Sequence, residues 1–317
     1  MVRAHAGEPN IKVHLMKVIP LNNGAVEIID FDMRNFTYDE AIQVRDVLRK
    51  ELIVVIREQD RDPFNYAKLI HHIGGICNWD QCYRDIEGNT IGRHPTYPDF
   101  ENWDHSKPFP VQRVTGEKKN GEFTGIFPLG KLEWHCNLNG PDRADGVALQ
   151  GIKGAVGTRT SWNNTALALK EMPDSLSSRI HGKYAKFYYN PTNWSDIHNK
   201  EQLAHMLKNR HHYKMWIEQT NAGGVKGLYL YTTNDCEIPG DDTTLFTDLQ
   251  DYLFQEKFIY HHDWSIGDIV LSDQLLTMHR RRQEADEIFE NRVLNRITFR
   301  ITNVGNPPAL IERNKIV

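Results

Sequence analysis

The chain has 317 residues, of which 39% are hydrophobic and 25% charged, with a formal net charge of −4. This is the make-up of an ordinary soluble globular protein of one large or two small domains, with no strong attraction to nucleic acid or to an anionic membrane. No apolar run approaches the roughly 20 residues needed to span a bilayer.

The first residues, "MVRAHAGEPNIKVHLMKVIP", contain no signal-peptide apolar core. Four cysteines (Cys77, Cys82, Cys136, Cys236) are too few for a disulfide scaffold and form no C-x-x-C pair. Partly buried thiols in a reducing cytoplasm are the expectation. Without repeats or low-complexity linkers, residues 1–317 read as one domain.

In chain order, "TYDEAIQVRDVLRKE" is a helix with a capping box. Thr37 caps while Glu40 reaches back, and Ala41, Val44, Val47 and Leu48 follow a helical period. The β-branched "LIVVI" (52–56) is a buried strand. "DRDPFNYAKLIHHIGG" is a second helix, with Asp62 as cap, Pro63 in the first turn and Gly74-Gly75 as the stop. Residues 78–130, rich in Pro, Gly, Asn and Asp, read as loops with short strands.

"GVALQGI" (146–152) is a strand, and "NNTALALKEMPDSLSSRI" gives helix, turn and helix start. The polar stretch 190–222 reads as an insertion of helices and loops. Strands return in "GLYLY", "FIYHHDW", "DIVLSDQ" and "RVLNRITFRIT", with a helix in "TTLFTDLQDYLFQE". Many short strands with a few packing helices predict a mainly β (α+β) fold, a double-sheet jelly roll.

The chemistry starts at "EWHCNLNG". His135, one spacer and a small polar residue is how one type of iron site begins, and the distal ligand of such a site lies far down the chain. His279, in "LSDQLLTMHRRR", is the leading candidate. If "RVLNRITFR" is a strand, its period of two places Arg292, Leu294, Arg296, Thr298 and Arg300 on one face. Arginines facing a barrel interior are costly unless they bind anions, and Arg292 or Arg296 would clamp a carboxylate.

Taken in order, "LEWHCN", "GTRTSW", "HDWSIGDIVLSDQLLTMHR" and "NRVLNRITF" resemble the taurine dioxygenase-like (TauD/TfdA) family, over roughly residues 35 to 303. The resemblance implies a double-stranded β-helix (cupin-like jelly roll) that binds Fe(II) and 2-oxoglutarate and hydroxylates a small anionic or zwitterionic substrate with dioxygen, releasing succinate and CO2. It implies His135 and His279 as metal ligands, and Thr160 with Arg292 as holders of the 2-oxoglutarate carboxylate. Arg296 would face the substrate's anionic group. Trp134, Trp162 and Trp264 match aromatic positions read as packing. His71, at a helix end, is a candidate substrate contact. A homo-oligomer is compatible with this reading.

The pattern breaks at Asn137, where the facial triad of two histidines and a carboxylate has its acid. Three outcomes stay open. The amide oxygen or water completes an active oxygenase; a halide replaces the missing charge, as in halogenases; or the protein binds ligand without turnover. Glu133 and Asp145 are the nearest substitute carboxylates. Arg280-Arg281-Arg282 reads as a solvated loop, and His261-His262 and His211-His212 read as surface pairs.

Overall fold

The computed structural model describes residues 16–77, 82–84, 90–93, 110–128, 131–137, 144–188, 212–232, 235–240, 244–281 and 291–301. Strands β1 (Lys17–Pro20) and β2 (Val26–Ile29) form an antiparallel pair that leads into α1 (Tyr38–Glu51). The predicted capping box starts that helix. The Glu40 amide donates to Thr37 Oγ1 at 3.2 Å, and the Thr37 amide donates to Glu40 Oε2 at 2.7 Å. Thr37→Ala is therefore expected to cost about 1 kcal/mol, read as a lower urea midpoint with an unchanged circular dichroism spectrum.

Leu52 stops the helix at φ 66°, so the apolar run loses its first residue and β3 covers Ile53–Ile56. Helix α2 (Pro63–Ile73) has Asp62 as its cap and Pro63 in its first turn. It ends at Gly74, whose backbone is extended. Glycine is needed there for space, because a Cβ would lie 2.4 Å from the Arg300 carbonyl oxygen. The two-residue strand β4 (Gly75–Ile76) then pairs with the far end of the chain.

The remaining labelled elements are β5 (Gln112–Thr115), β6 (Leu132–His135), β7 (Gly146–Lys153), β8 (Arg159–Asn164), α3 (Thr165–Lys170), α4 (Asp174–Ile180), β9 (Tyr184–Tyr188), β10 (His212–Trp216), β11 (Asp235–Glu237), α5 (Leu245–Leu253), β12 (Ile259–Asp263), β13 (Ile269–Asp273), β14 (Thr277–Arg281) and β15 (Val293–Arg300). The large sheet runs β1-β2-β3-β13-β7-β15-β4, with β5 also on β15. The small sheet runs β6-β14-β8-β12. Two such sheets make the predicted jelly roll.

Alternation along the large sheet decides what faces where. Val54, Ile56, Ala148, Ile269, Leu271, Ile297 and Phe299 pack outward under α1 and α2. Their neighbours Ile53, Val55, Leu149, Val270 and Leu294 pack inward with Trp162 and Trp264. Arg292 and Arg296 share the inward parity of Leu294, as the period of two predicts.

Of the predicted insertion, residues 189–211 lie outside the described residues. His212–Trp216 is strand, pairing with Tyr184–Tyr188 in a three-stranded sheet completed by Asp235–Glu237. From "GLYLY" only Lys226–Leu228 forms strand, paired with Glu218–Thr220. Among the described residues, no helix is long and apolar enough to cross a membrane.

Candidate active site

A turn fixed by one buried acid sets the distal histidine. The Asp273 carboxylate accepts from the amides of Leu275 and Leu276, both at 2.8 Å, and from Asn221 Nδ2 at 3.0 Å. Thr277 Oγ1 donates back to the Asp273 carbonyl. Burial raises the Asp273 pKa and these donors oppose the rise. The chain thus leaves β13 and enters β14 in one register. His279 lies inside β14 rather than beyond a strand, with His135 opposite it on one side and Trp162 on the other. The β6 register slips between Leu132 and His135, an irregularity of the kind that re-aims side chains beside active sites.

The His135 and His279 rings lie 4.3 Å apart between centroids. His135 Nδ1 contacts the Glu133 carbonyl oxygen at 2.7 Å, which assigns the proton to Nδ1 and the lone pair to Nε2. Burial in the pocket wall, with help from the Arg296 and Arg281 charges, pushes its pKa down to about 4. Burial and the neighbouring His135 push His279 well below the ordinary value. Both rings are therefore neutral at pH 7, the state in which imidazole binds a metal.

Asn137 is the second residue past the end of β6. Its amide N–H donates to Gln274 Oε1 at 2.5 Å, which pins the backbone there. Its side-chain Oδ1 is buried without a hydrogen-bond partner, and so is His279 Nδ1. An unsatisfied buried acceptor costs about 1–3 kcal/mol and calls for a partner. Among the described residues, no cluster of three His, Cys, Asp or Glu could hold a metal. Glu133 points to the surface, 56% exposed and paired with Lys131. Asp145 accepts from the Ile301 amide instead. Two neutral imidazoles and an orphaned amide oxygen thus fit a divalent metal, more weakly than a set with a carboxylate.

From the two histidines the wall continues to a basic end. Thr160 Oγ1 accepts from Trp264 Nε1 at 2.9 Å and from Arg292 Nη2 at 3.4 Å. With both acceptor sites used, the hydroxyl hydrogen is left to donate into the pocket. Trp264 therefore does more than the packing predicted for it. Arg292 is buried, and burial together with the Arg281 charge pushes its pKa down to about 9, which leaves it charged at pH 7. Arg296 Nη1 donates to Gln112 Oε1 at 2.5 Å, and its guanidinium lies 5.9 Å from the Phe127 ring centroid.

One partly open pocket brings together His135, Asn137, His279, Thr160, Arg292 and Arg296. His71 is not among its lining residues. It sits at the end of α2 against His72, and burial and that neighbour push its pKa down to about 4.

Two surface readings need correction. Arg281 is 4% exposed and lines the pocket, and Arg280 stacks on Trp134 at 4.3 Å, so neither belongs to a solvated loop; Arg282 lies outside the described residues. His262 is buried, with Nε2 3.1 Å from Asp268. His211 lies outside the described residues, as does the His212 side chain. The missed signal for Arg281 was the period of two counted on from His279.

A pair of strand-borne histidines facing buried guanidiniums across a jelly roll is the design of oxygenases that pair a mononuclear metal with a 2-oxo acid. The chain belongs to the taurine catabolism dioxygenase TauD, TfdA family, whose model matches residues 17–298. It is thereby a dioxygenase of the Fe(II)- and 2-oxoglutarate-dependent type.

Pentalenolactone F synthase of Streptomyces avermitilis is 22% identical over 290 residues, 84% of this chain and 87% of that protein. The alpha-ketoglutarate-dependent 2,4-dichlorophenoxyacetate dioxygenase of a Burkholderia species is 23% identical over 147 residues, 45% of this chain and 48% of that one. Among solved structures, AAD-2 in complex with Mn(II) and N-oxalylglycine is similar at a TM-score of 0.64 and 17% identity, covering 90% of this chain and 96% of that one. A taurine dioxygenase from Burkholderia xenovorans is similar at 0.62 and 17%, covering 90% and 89%.

Proposed function

We propose that the protein hydroxylates an unactivated C–H bond of a small anionic or zwitterionic molecule, with His135, His279 and the Asn137 amide oxygen as its iron ligands. The observation that carries this is the buried, unpartnered Asn137 Oδ1 beside two neutral imidazoles. Bound iron, 2-oxoglutarate and dioxygen supply the oxidising power, one oxygen atom entering the substrate while the 2-oxo acid leaves as succinate and CO2.

The chain's own groups bind and orient. Thr160 donates its hydroxyl hydrogen to the far carboxylate of 2-oxoglutarate, and Arg292 supplies the matching charge. Arg296, held by Gln112 at the Phe127 side of the pocket, takes the anionic group of the substrate. A substrate anion agrees with the name of one relative, which acts on 2,4-dichlorophenoxyacetate. Cysteines too few for a disulfide scaffold suit a cytoplasmic enzyme.

Asn137 also favours a second reading, a protein that binds the 2-oxo acid without turnover. Anaerobic titration with Fe(II) and 2-oxoglutarate, followed by oxygen and a succinate assay, separates the two. The expected result is a visible charge-transfer band and succinate formation from the unaltered protein. Asn137→Asp should tighten Fe(II) binding on the order of 10-fold. A band without succinate would favour the binder. No band in either protein would sink the ligand assignment.

A further inference from the structure

Among the described lining residues, Arg281 is the one buried charged group that the reading above leaves without a task. It follows His279 by two residues in β14, so it shares the inward face. In the β8–β14 register Trp162 faces His279 and Ser161 faces Arg280. Arg281 lines the same pocket as Thr160, which receives Arg292 Nη2. Two guanidiniums from different sheets therefore share one pocket wall, close enough that the Arg281 charge disfavours the charged form of Arg292.

Among the described lining residues there is no aspartate or glutamate. Two like charges gathered in a buried wall repel, and an anion held between them lowers the cost of both. Arg281 Nη1 donates to the Phe127 carbonyl at 3.1 Å, a bond that helps to fix the direction of the side chain.

We propose that Arg281 is a second guanidinium for the far carboxylate of the 2-oxo diacid, so that Arg281 and Arg292 grip that carboxylate from either side of Thr160. The proposal rests on the co-substrate reading above and adds a binding residue to it. The arrangement also suits the change at Asn137. Where the metal lacks a charged protein oxygen, a firmer hold on the opposite end of the diacid keeps the chelating end in place.

The test compares two ligands that differ only at the far end. Calorimetry on the full chain loaded with Mn(II) measures 2-oxoglutarate against 2-oxovalerate, the same keto acid with a methyl group in place of the far carboxylate. The unaltered protein should prefer 2-oxoglutarate. Arg281→Met should reduce that preference on the order of 10-fold while leaving 2-oxovalerate binding unchanged, and Arg281→Lys should restore part of it. If Arg281→Met does not fold, Arg281→Gln is read in the same way.

A preference that stays at the unaltered value in these variants, while Arg292→Leu collapses it, would reduce Arg281 to a prop for Phe127. Equal loss of both ligands would likewise overturn the proposal by showing general damage. If the unaltered protein binds neither acid, the co-substrate reading falls and takes this proposal with it.

Discussion

His279→Ala is expected to abolish divalent-metal binding, weakening it by at least about 100-fold, the upper end of what the loss of a mere supporting residue costs. The expectation is steep because the ligand set is already thin. In the proposed set, two imidazoles and an uncharged amide oxygen hold the metal, so deleting His279 leaves one imidazole and the amide. Equilibrium dialysis with Mn(II) measures the loss. Circular dichroism should remain that of the unaltered protein, because the turn bonds from Asp273 and Thr277 that set the strand do not involve the imidazole. Metal binding that survives within a few-fold would assign the site to other residues.

Arg292→Leu should have the next largest effect. In the proposed site, removing the buried guanidinium that faces the carboxylate takes away the anion's main partner, at a cost of about 3–5 kcal/mol, or roughly two to nearly four orders of magnitude in the dissociation constant for 2-oxoglutarate. Leucine replaces much of the aliphatic volume, and Thr160 keeps its bond from Trp264 Nε1, so the hydroxyl stays oriented. Metal binding alone should be unaffected. Unchanged 2-oxoglutarate affinity in this variant would mean that the carboxylate binds elsewhere in the pocket.

What was legible in the sequence was what local chemistry decides. Thr37 with Glu40, and Asp62 with Pro63, start their helices as spacing alone requires. The β15 arginines alternate with Val293, Asn295 and Ile297, so one face could be read directly from the sequence. Arg281 was misread because three consecutive arginines look like solvated charge. Only the pairing of β14 on both sides turns the middle one inward, and that pairing is made with residues far away in the chain.

His262 was missed for a similar reason, since its acid, Asp268, approaches only after the turn at Gly267. Gln274, which pins the Asn137 backbone, carried no signal at all, because a glutamine side chain bonded to a distant amide has no spacing rule. His71 sits on a legible helix, but that helix covers the outer face of the large sheet.

The two-residue step from His279 to Arg281 sets how far the distal histidine lies from the basic end of the pocket. Along a strand that step is about 7 Å. Inserting one residue would not lengthen the site by half as much; it would turn one of the two side chains to the opposite face. The reach of this pocket can therefore change only in whole pleats. A single pleat overshoots what one added methylene in the ligand would need, so under the proposed ligand assignments this strand pairing would favour one chain length of 2-oxo diacid.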